Sequence, residues 1–144
     1  MLATGLILPT NSDLILTLQI ALAGVLAGII GWQRHVAGRP AGMRTHALVA
    51  MAAASFALAG MYGFGPLGSR DPTRIAAQVV SGIGFLGAGT IFRAEDHVYG
   101  LTTAASLWVA AALGLLVAAG LSWVAIFCTA LSLVVLLVVA RLEK

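Results

Sequence analysis

The chain has 144 residues, 60% of them hydrophobic and 9% charged, with a mean hydropathy of +1.03 and a formal net charge of +3. A soluble domain is roughly 45–50% apolar and about 25% charged, so the composition excludes an ordinary soluble fold and points to lipid. The length suits one domain.

The segment 1–13 has no basic stretch and only a short apolar one, so it does not read as a cleaved signal peptide and is expected as a short extracytoplasmic lead-in. Five apolar runs follow, at 14–32, 46–64, 75–92, 101–119 and 122–140, and none contains Asp, Glu, Lys or Arg. Each is close to the roughly 17–25 residues that cross a hydrocarbon core as a helix. Lipid offers no partner for an exposed backbone group, so each run is expected to be helical. The predicted fold is an all-α polytopic membrane protein with a five-helix domain over 14–140 and a tail at 141–144.

The first run carries Ala21, Gly24, Gly28 and Gly31 on one face, with Gly24 and Gly28 forming a GxxxG. In lipid, helices associate by close packing of small residues rather than by a hydrophobic effect. The connection to the second run holds Arg34, Arg39 and Arg44. With Arg93, Arg141 and Lys144 these make six basic residues on one side, against Arg70 and Arg74 on the other. Cytoplasmic connections carry the excess of Lys and Arg, so the N-terminus is expected outside and the C-terminus in the cytoplasm. Trp32, Tyr62, Tyr99 and Trp123 fall near run ends, where aromatic belts form, while Trp108 lies deeper and is expected between helices. His46 opens the second run beside Arg44, which disfavours its charged form. His35 and His97 are interfacial.

The loop before the third run contains Asp71-Pro72, a helix cap followed by Pro at the first helical position. Asp71 is also placed to pair with Arg70 or Arg74, or to hold a cation weakly. Gln78, one turn inside, is read as a bridge between helices. The third run itself contains Gly82, Gly84, Gly87 and Gly89, and its first three glycines match G-x-G-x-x-G. A dinucleotide loop needs a preceding strand and an acidic residue about 20 positions later. Here the glycines sit inside an apolar run, and position 107 is Leu107. No nucleotide cofactor is expected, and no nucleic acid. Two readings of the glycines stay open. Ala77, Ser81, Gly84 and Ala88 are spaced by +4, +3 and +4, a face for close packing. Alternatively the helix breaks there and exposes carbonyls to a pathway.

The fourth run repeats the small-residue face in Ala104, Ala111, Gly114 and Ala118. Residues 42–54 and 100–112 match at six of thirteen positions, which suggests two parallel helical hairpins plus a fifth helix. Both Gly-x-x-Thr segments would then open a helix at the basic surface, bringing Arg34, Arg39, Arg44, Thr45, His46, Arg93, Thr102 and Thr103 together. Arginines beside helix N-termini suit an anion, and the same residues also suit simple contact with lipid headgroups. The fifth run is rich in Leu and Val and is expected at the periphery. The single cysteine, Cys128, reads as a small apolar residue. No metal site and no catalytic constellation is evident.

GxxGWQRHVAGRPAGMRTHALV, DPTRIAAQVVSGIGFLGAGTIF and GLTTAASLWVAAALGL, in this order, resemble the MgtC/SapB family of bacterial membrane proteins over roughly 28–120. The resemblance marks Arg34, Gly38, Arg39, Ala41, Gly42, Arg44, Thr45, His46, Asp71, Arg74, Gln78, Gly82, Gly84, Gly87, Gly89, Gly100, Thr102, Thr103 and Trp108. It implies a multi-pass protein of the bacterial inner membrane, linked to growth at low magnesium, acid tolerance and survival inside macrophages. It also implies a regulator that binds another membrane complex, the F-type ATP synthase or an ion-transport ATPase, with magnesium transport by an oligomer as the alternative. Two departures matter. Gln33 stands where many members have glutamate, which weakens a cation or proton role there, and a function needing the soluble C-terminal domain that several members carry is not expected. Small-residue faces on three helices suggest a homo-oligomer, with a dimer the plausible case.

Overall fold

The computed structural model describes residues 11–64 and 71–142. Its main elements are α1 (Asn11–Val36), α2 (Met43–Leu58), α3 (Pro72–Ala88), a hairpin of β1 (Phe92–Ala94) and β2 (His97–Tyr99), α4 (Leu101–Ala118) and α5 (Ser122–Val134). α2 continues through a π-helical turn, Ala59–Gly63, and α5 through Val135–Val139 into a last helical turn, α6 (Ala140–Leu142). The fold is the expected all-α membrane architecture. Four helical stretches, 12–36, 43–63, 101–118 and 122–142, are long and apolar enough to cross a membrane. At 1.5 Å per residue the 17-residue α3 is about 26 Å long, at the short end of a span.

α1 begins at Asn11, ahead of the expected Leu14. The third run differs more. The sequence predicts helix to residue 92, but α3 stops at Ala88, a turn follows, and Phe92 pairs with Tyr99 in the hairpin. Two features end the helix. The Thr90 hydroxyl donates to the Gly87 carbonyl at 2.8 Å and closes the last turn. Gly100, at φ +89°, folds the returning strand against Thr90 and Ile91, where an added Cβ would collide with backbone. Only glycine fits both that dihedral and that approach. The Phe92 and Tyr99 rings stack at 5.4 Å.

α1, α2 and α4 form the core, with Ala23, Ala27, Ile30, Ala50, Ala54, Ala110, Leu113 and Val117 buried. α1 and α2 are antiparallel and very close. A Cβ on Gly24 would lie 2.9 Å from the Met51 side chain, and one on Gly31 would lie 2.6 Å from the Met43 Cα. α2 and α4 run parallel, as the internal repeat predicts, since His46 meets Ser106 and Gly114 meets Ala50–Ala54. A Cβ on Gly114 would come 2.3 Å from the Ala50 carbonyl oxygen. The small-residue faces of α1 and α4 therefore bring backbones together as expected, except that Ala21 is exposed. α5 is peripheral as predicted, burying only Ala125 and Thr129.

The face of α3 is the main correction. α3 turns Ile83 and Gly87 inward onto α4. On a helix at 100° per residue, Ala77, Ser81, Gly84 and Ala88 are then turned aside from α4, Ser81 the most and Gly84 the least. Ala77, Ser81 and Ala88 are exposed, and a Cβ on Gly82 or Gly84 would meet nothing within 4 Å. The predicted packing face is real as a pattern but has no partner among the described residues. A cavity of about 410 Å3, lined by Val49, Phe56, Ile75, Gln78, Gly82 and Leu86, separates α3 from α2. Trp108 is not buried between helices. It lies beside Gly87 and stays 48% exposed.

Candidate functional site

The expected cluster divides into three parts. His46 is fully buried, with Nδ1 2.9 Å from the Gly42 carbonyl oxygen and Nε2 3.0 Å from the Ser106 hydroxyl. A carbonyl only accepts, so Nδ1 carries a proton. In the neutral ring Nε2 then accepts from Ser106, whose one hydroxyl proton also faces the Thr103 carbonyl at 2.8 Å. This pair ties α2 to α4. Sequence reading found His46 and missed Ser106. The signal was present, because Thr102, Thr103 and Ser106 form a polar stripe one turn deep at the start of an otherwise apolar helix.

The second part surrounds Arg34. This side chain is 5% exposed and its Nη2 donates to the Thr103 hydroxyl at 3.3 Å, joining α1 to α4. Its Nε is buried with no acceptor, and the Oε1 of neighbouring Gln33 is buried with no donor. Arg34 faces a cavity of about 560 Å3 together with Arg39, Tyr99, Gly100, Thr102 and Thr103. The far wall is apolar, from Val135, Leu136 and Val139 of the α5 extension. Gly100 caps α4 without a side chain, so no hydroxyl or carboxylate occupies the first N–H groups of that helix. The α5 wall and Tyr99 went unnoticed in the sequence, because nothing in a Leu/Val run says which end it closes.

The third part does not converge. Arg44 and Thr45 are exposed on the first turn of α2 and do not line the cavity. Arg93 is exposed on the hairpin, where its Nε donates to the Glu95 carbonyl at 3.3 Å and its Nη2 lies 3.9 Å from Asp96. The hairpin, absent from the sequence expectation, carries Arg93 away from the helix end. Among the described residues this is the one ion pair, and no group of His, Cys, Asp and Glu is arranged to hold a metal.

At the opposite end, Asp71 caps α3, accepting from the Thr73 backbone N–H at 3.1 Å and from the Thr73 hydroxyl. The Thr73 hydroxyl, with backbone N–H groups and the Arg74 charge, holds the Asp71 carboxyl below the usual carboxylate range. The capping role is therefore realised, while Arg70 lies outside the described residues. Gln78 is exposed at the rim of the α2–α3 cavity and bridges no helices. Gln19, which the sequence reading passed over, does: its amide donates to the Val117 carbonyl at 3.0 Å. α3 is an unbroken helix through Gly82, Gly84 and Gly87 and is capped at Gly89, so its carbonyls open no pathway within the protomer.

Comparison with known proteins adds to this picture. A family model described as the MgtC family matches residues 20–144. A protein of Escherichia coli K12 called "Putative magnesium transporter YhiD" is 42% identical over 124 residues, covering 83% of this chain and 58% of that protein. The "Protein MgtC" of Brucella abortus strain 2308 is 53% identical over 104 residues, 71% of this chain and 42% of that protein. The "Protein MgtC" of Salmonella typhimurium LT2 is 48% identical over 103 residues, 72% of this chain and 43% of that protein. The chain thus spans about half the length of these relatives. No solved structure matches it.

Proposed function

The chain belongs to the MgtC family, and we propose on that footing that this membrane protein works by docking onto another membrane complex in the bacterial inner membrane. The reading places the N-terminus outside, the C-terminus in the cytoplasm and the activity in adaptation to low magnesium, acid stress and intracellular survival. The partner is an ATP-driven or ATP-making ion complex, such as the F-type ATP synthase or an ion-transport ATPase. The observation that carries the proposal is the outward face of α3, Ala77, Ser81, Gly84 and Ala88. Small residues in a membrane helix lower the barrier to close backbone approach, and here that surface meets no described element of its own protomer. The interior supports the same reading. Its buried polar groups, Arg34, His46, Thr103, Ser106 and Thr129, each make a hydrogen bond within the helical framework, and the one carboxylate in a described span, Asp13, lies in the first turn of α1 and not at mid-span. Magnesium prefers octahedral oxygen ligands, commonly with one or two carboxylates.

A transporter reading has one specific support, the printed name of the E. coli relative, and would need the α3 faces of several copies to line a path. Reconstitution separates the two. Protein in liposomes holding magnesium- and proton-sensitive dyes is expected to give no flux above empty liposomes. The same protein with Ser81→Cys is expected to cross-link in native membranes to a chain of a larger complex. Flux that disappears in a folded Gly84→Leu variant would overturn the docking reading.

A further inference from the structure

We propose that the cavity between α1, the start of α4 and the end of α5 binds a phosphate group. The buried Arg34 carries the argument. A guanidinium is charged at any physiological pH and is rarely buried without a counter-charge. Arg34 is 5% exposed, its Nε has no acceptor, and no carboxylate pairs with it among the described residues. Its one partner among the described residues, the Thr103 hydroxyl at 3.3 Å, is neutral. An incoming anion is what this side chain lacks.

The other walls supply donors for the same kind of group. Arg39 lines the cavity and, among the described residues, forms no ion pair. α4 is 18 residues long and starts at the cavity, with Gly100 as a cap that contributes no side chain. Its N–H groups at Leu101, Thr102 and Thr103 precede the first intrahelical bond, which runs from the Ala104 N–H to the Gly100 carbonyl at 2.9 Å. Free N–H groups and the positive end of the helix dipole favour an anion. Thr102 and Thr103 add hydroxyls. Two guanidiniums in fork geometry with hydroxyls and helix N–H groups suit the tetrahedral oxygens of a phosphate better than a single-point halide. The volume of about 560 Å3 lies within the roughly 300–1,000 Å3 of small-ligand sites. Val135, Leu136 and Val139 leave room beside the phosphate for an apolar or neutral body esterified to it. A phospholipid headgroup and a soluble phosphate share this chemistry. The proposal is independent of the docking reading.

The test measures thermal unfolding in two settings. In a neutral detergent, inorganic phosphate is titrated at constant ionic strength against chloride. In nanodiscs, pure phosphatidylcholine is compared with phosphatidylcholine containing phosphatidylglycerol. Phosphate stabilisation identifies a soluble source, and stabilisation by phosphatidylglycerol alone identifies the lipid headgroup. Either outcome supports the site. Arg39→Gln, at an exposed position, is expected to fold normally and weaken the effect about tenfold or more, as loss of a charge-assisted hydrogen bond does. Arg44→Gln, equally basic but outside the cavity, is expected to keep it. No stabilisation in either setting would overturn the proposal. Equal losses in Arg39→Gln and Arg44→Gln would also overturn it, because that pattern belongs to general surface charge.

Discussion

α1 and α3 are both helices with small residues at helical spacing, and they use them in opposite ways. In α1, Gly24, Gly28 and Gly31 are buried against α2, and a Cβ on Gly24 would press on the Met51 side chain and one on Gly31 would strike the Gly42–Met43 backbone. In α3, Gly82 and Gly84 look out over open space, and a cavity separates the helix from α2. The same device serves internal cohesion in one hairpin and an outer surface in the other. A glycine pattern in a membrane helix thus states that something can come close. What comes close depends on which way the neighbouring connections rotate the helix.

The comparison is most directly broken by bulk. Gly31→Leu and Gly114→Leu should abolish folded protein or lower its melting temperature severely, since even a Cβ meets backbone at both sites. Overpacking typically costs about 1–3 kcal/mol, and contacts with rigid backbone fall at the upper end or beyond. Gly84→Leu should leave protomer melting in detergent unchanged. A large fall in Gly84→Leu would show that α3 packs inward, and the contrast would collapse.

Next in size is the His46–Ser106 tie. Ser106→Ala leaves the buried His46 Nε2 without a partner and should destabilise the protein by about 1–3 kcal/mol. His46→Ala should cost at least as much, because it adds a void at a fully buried site. Thermal unfolding of the two single variants and the double variant measures their coupling, and additive effects would show that the contact holds nothing together. Gly82→Ala is a smaller test of the open face. Nothing meets the new methyl group, and alanine favours helix over glycine by up to about 1 kcal/mol. Melting should be unchanged or slightly higher, and a clear loss would mean a neighbour lies there.

The smallest effect concerns the α3 cap. The Asp71 carboxyl is held below its unfolded value. Its contribution is therefore complete above the unfolded carboxylate pKa of about 3.9 and is lost as pH falls through the lower folded value. Asp71→Ala should remove that acid dependence and slightly loosen the start of α3. Hydrogen exchange at Thr73 and Arg74 reads it, and unaltered exchange would discount the cap.

The sequence by itself determined the solvent, the helical class, the approximate helices, the Asp71 cap, the parallel course of α2 and α4, and the peripheral place of α5. These follow from local rules: lipid forbids unpaired backbone, Pro and Asp fix a helix start, and Leu/Val surfaces tolerate lipid. Residues 42–54 and 100–112 carried the parallel course because both begin with Gly-x-x-Thr at the basic end. Tertiary structure alone decided which small residues touch. Rotation of α3 about its axis buries Ile83 and Gly87 and leaves Gly84 half-buried with open space where a Cβ would stand, and spacing cannot register a rotation. It also decided the membership of the polar clusters. Arg34 and Thr103 are 69 positions apart and His46 and Ser106 are 60 apart, and each pair meets only because three helices converge. Arg93 left the cluster because three-residue strands fold it outward. Strands that short carry too little periodicity to be read in advance, and their place was fixed by a turn and by the close approach of Gly100 to the end of α3.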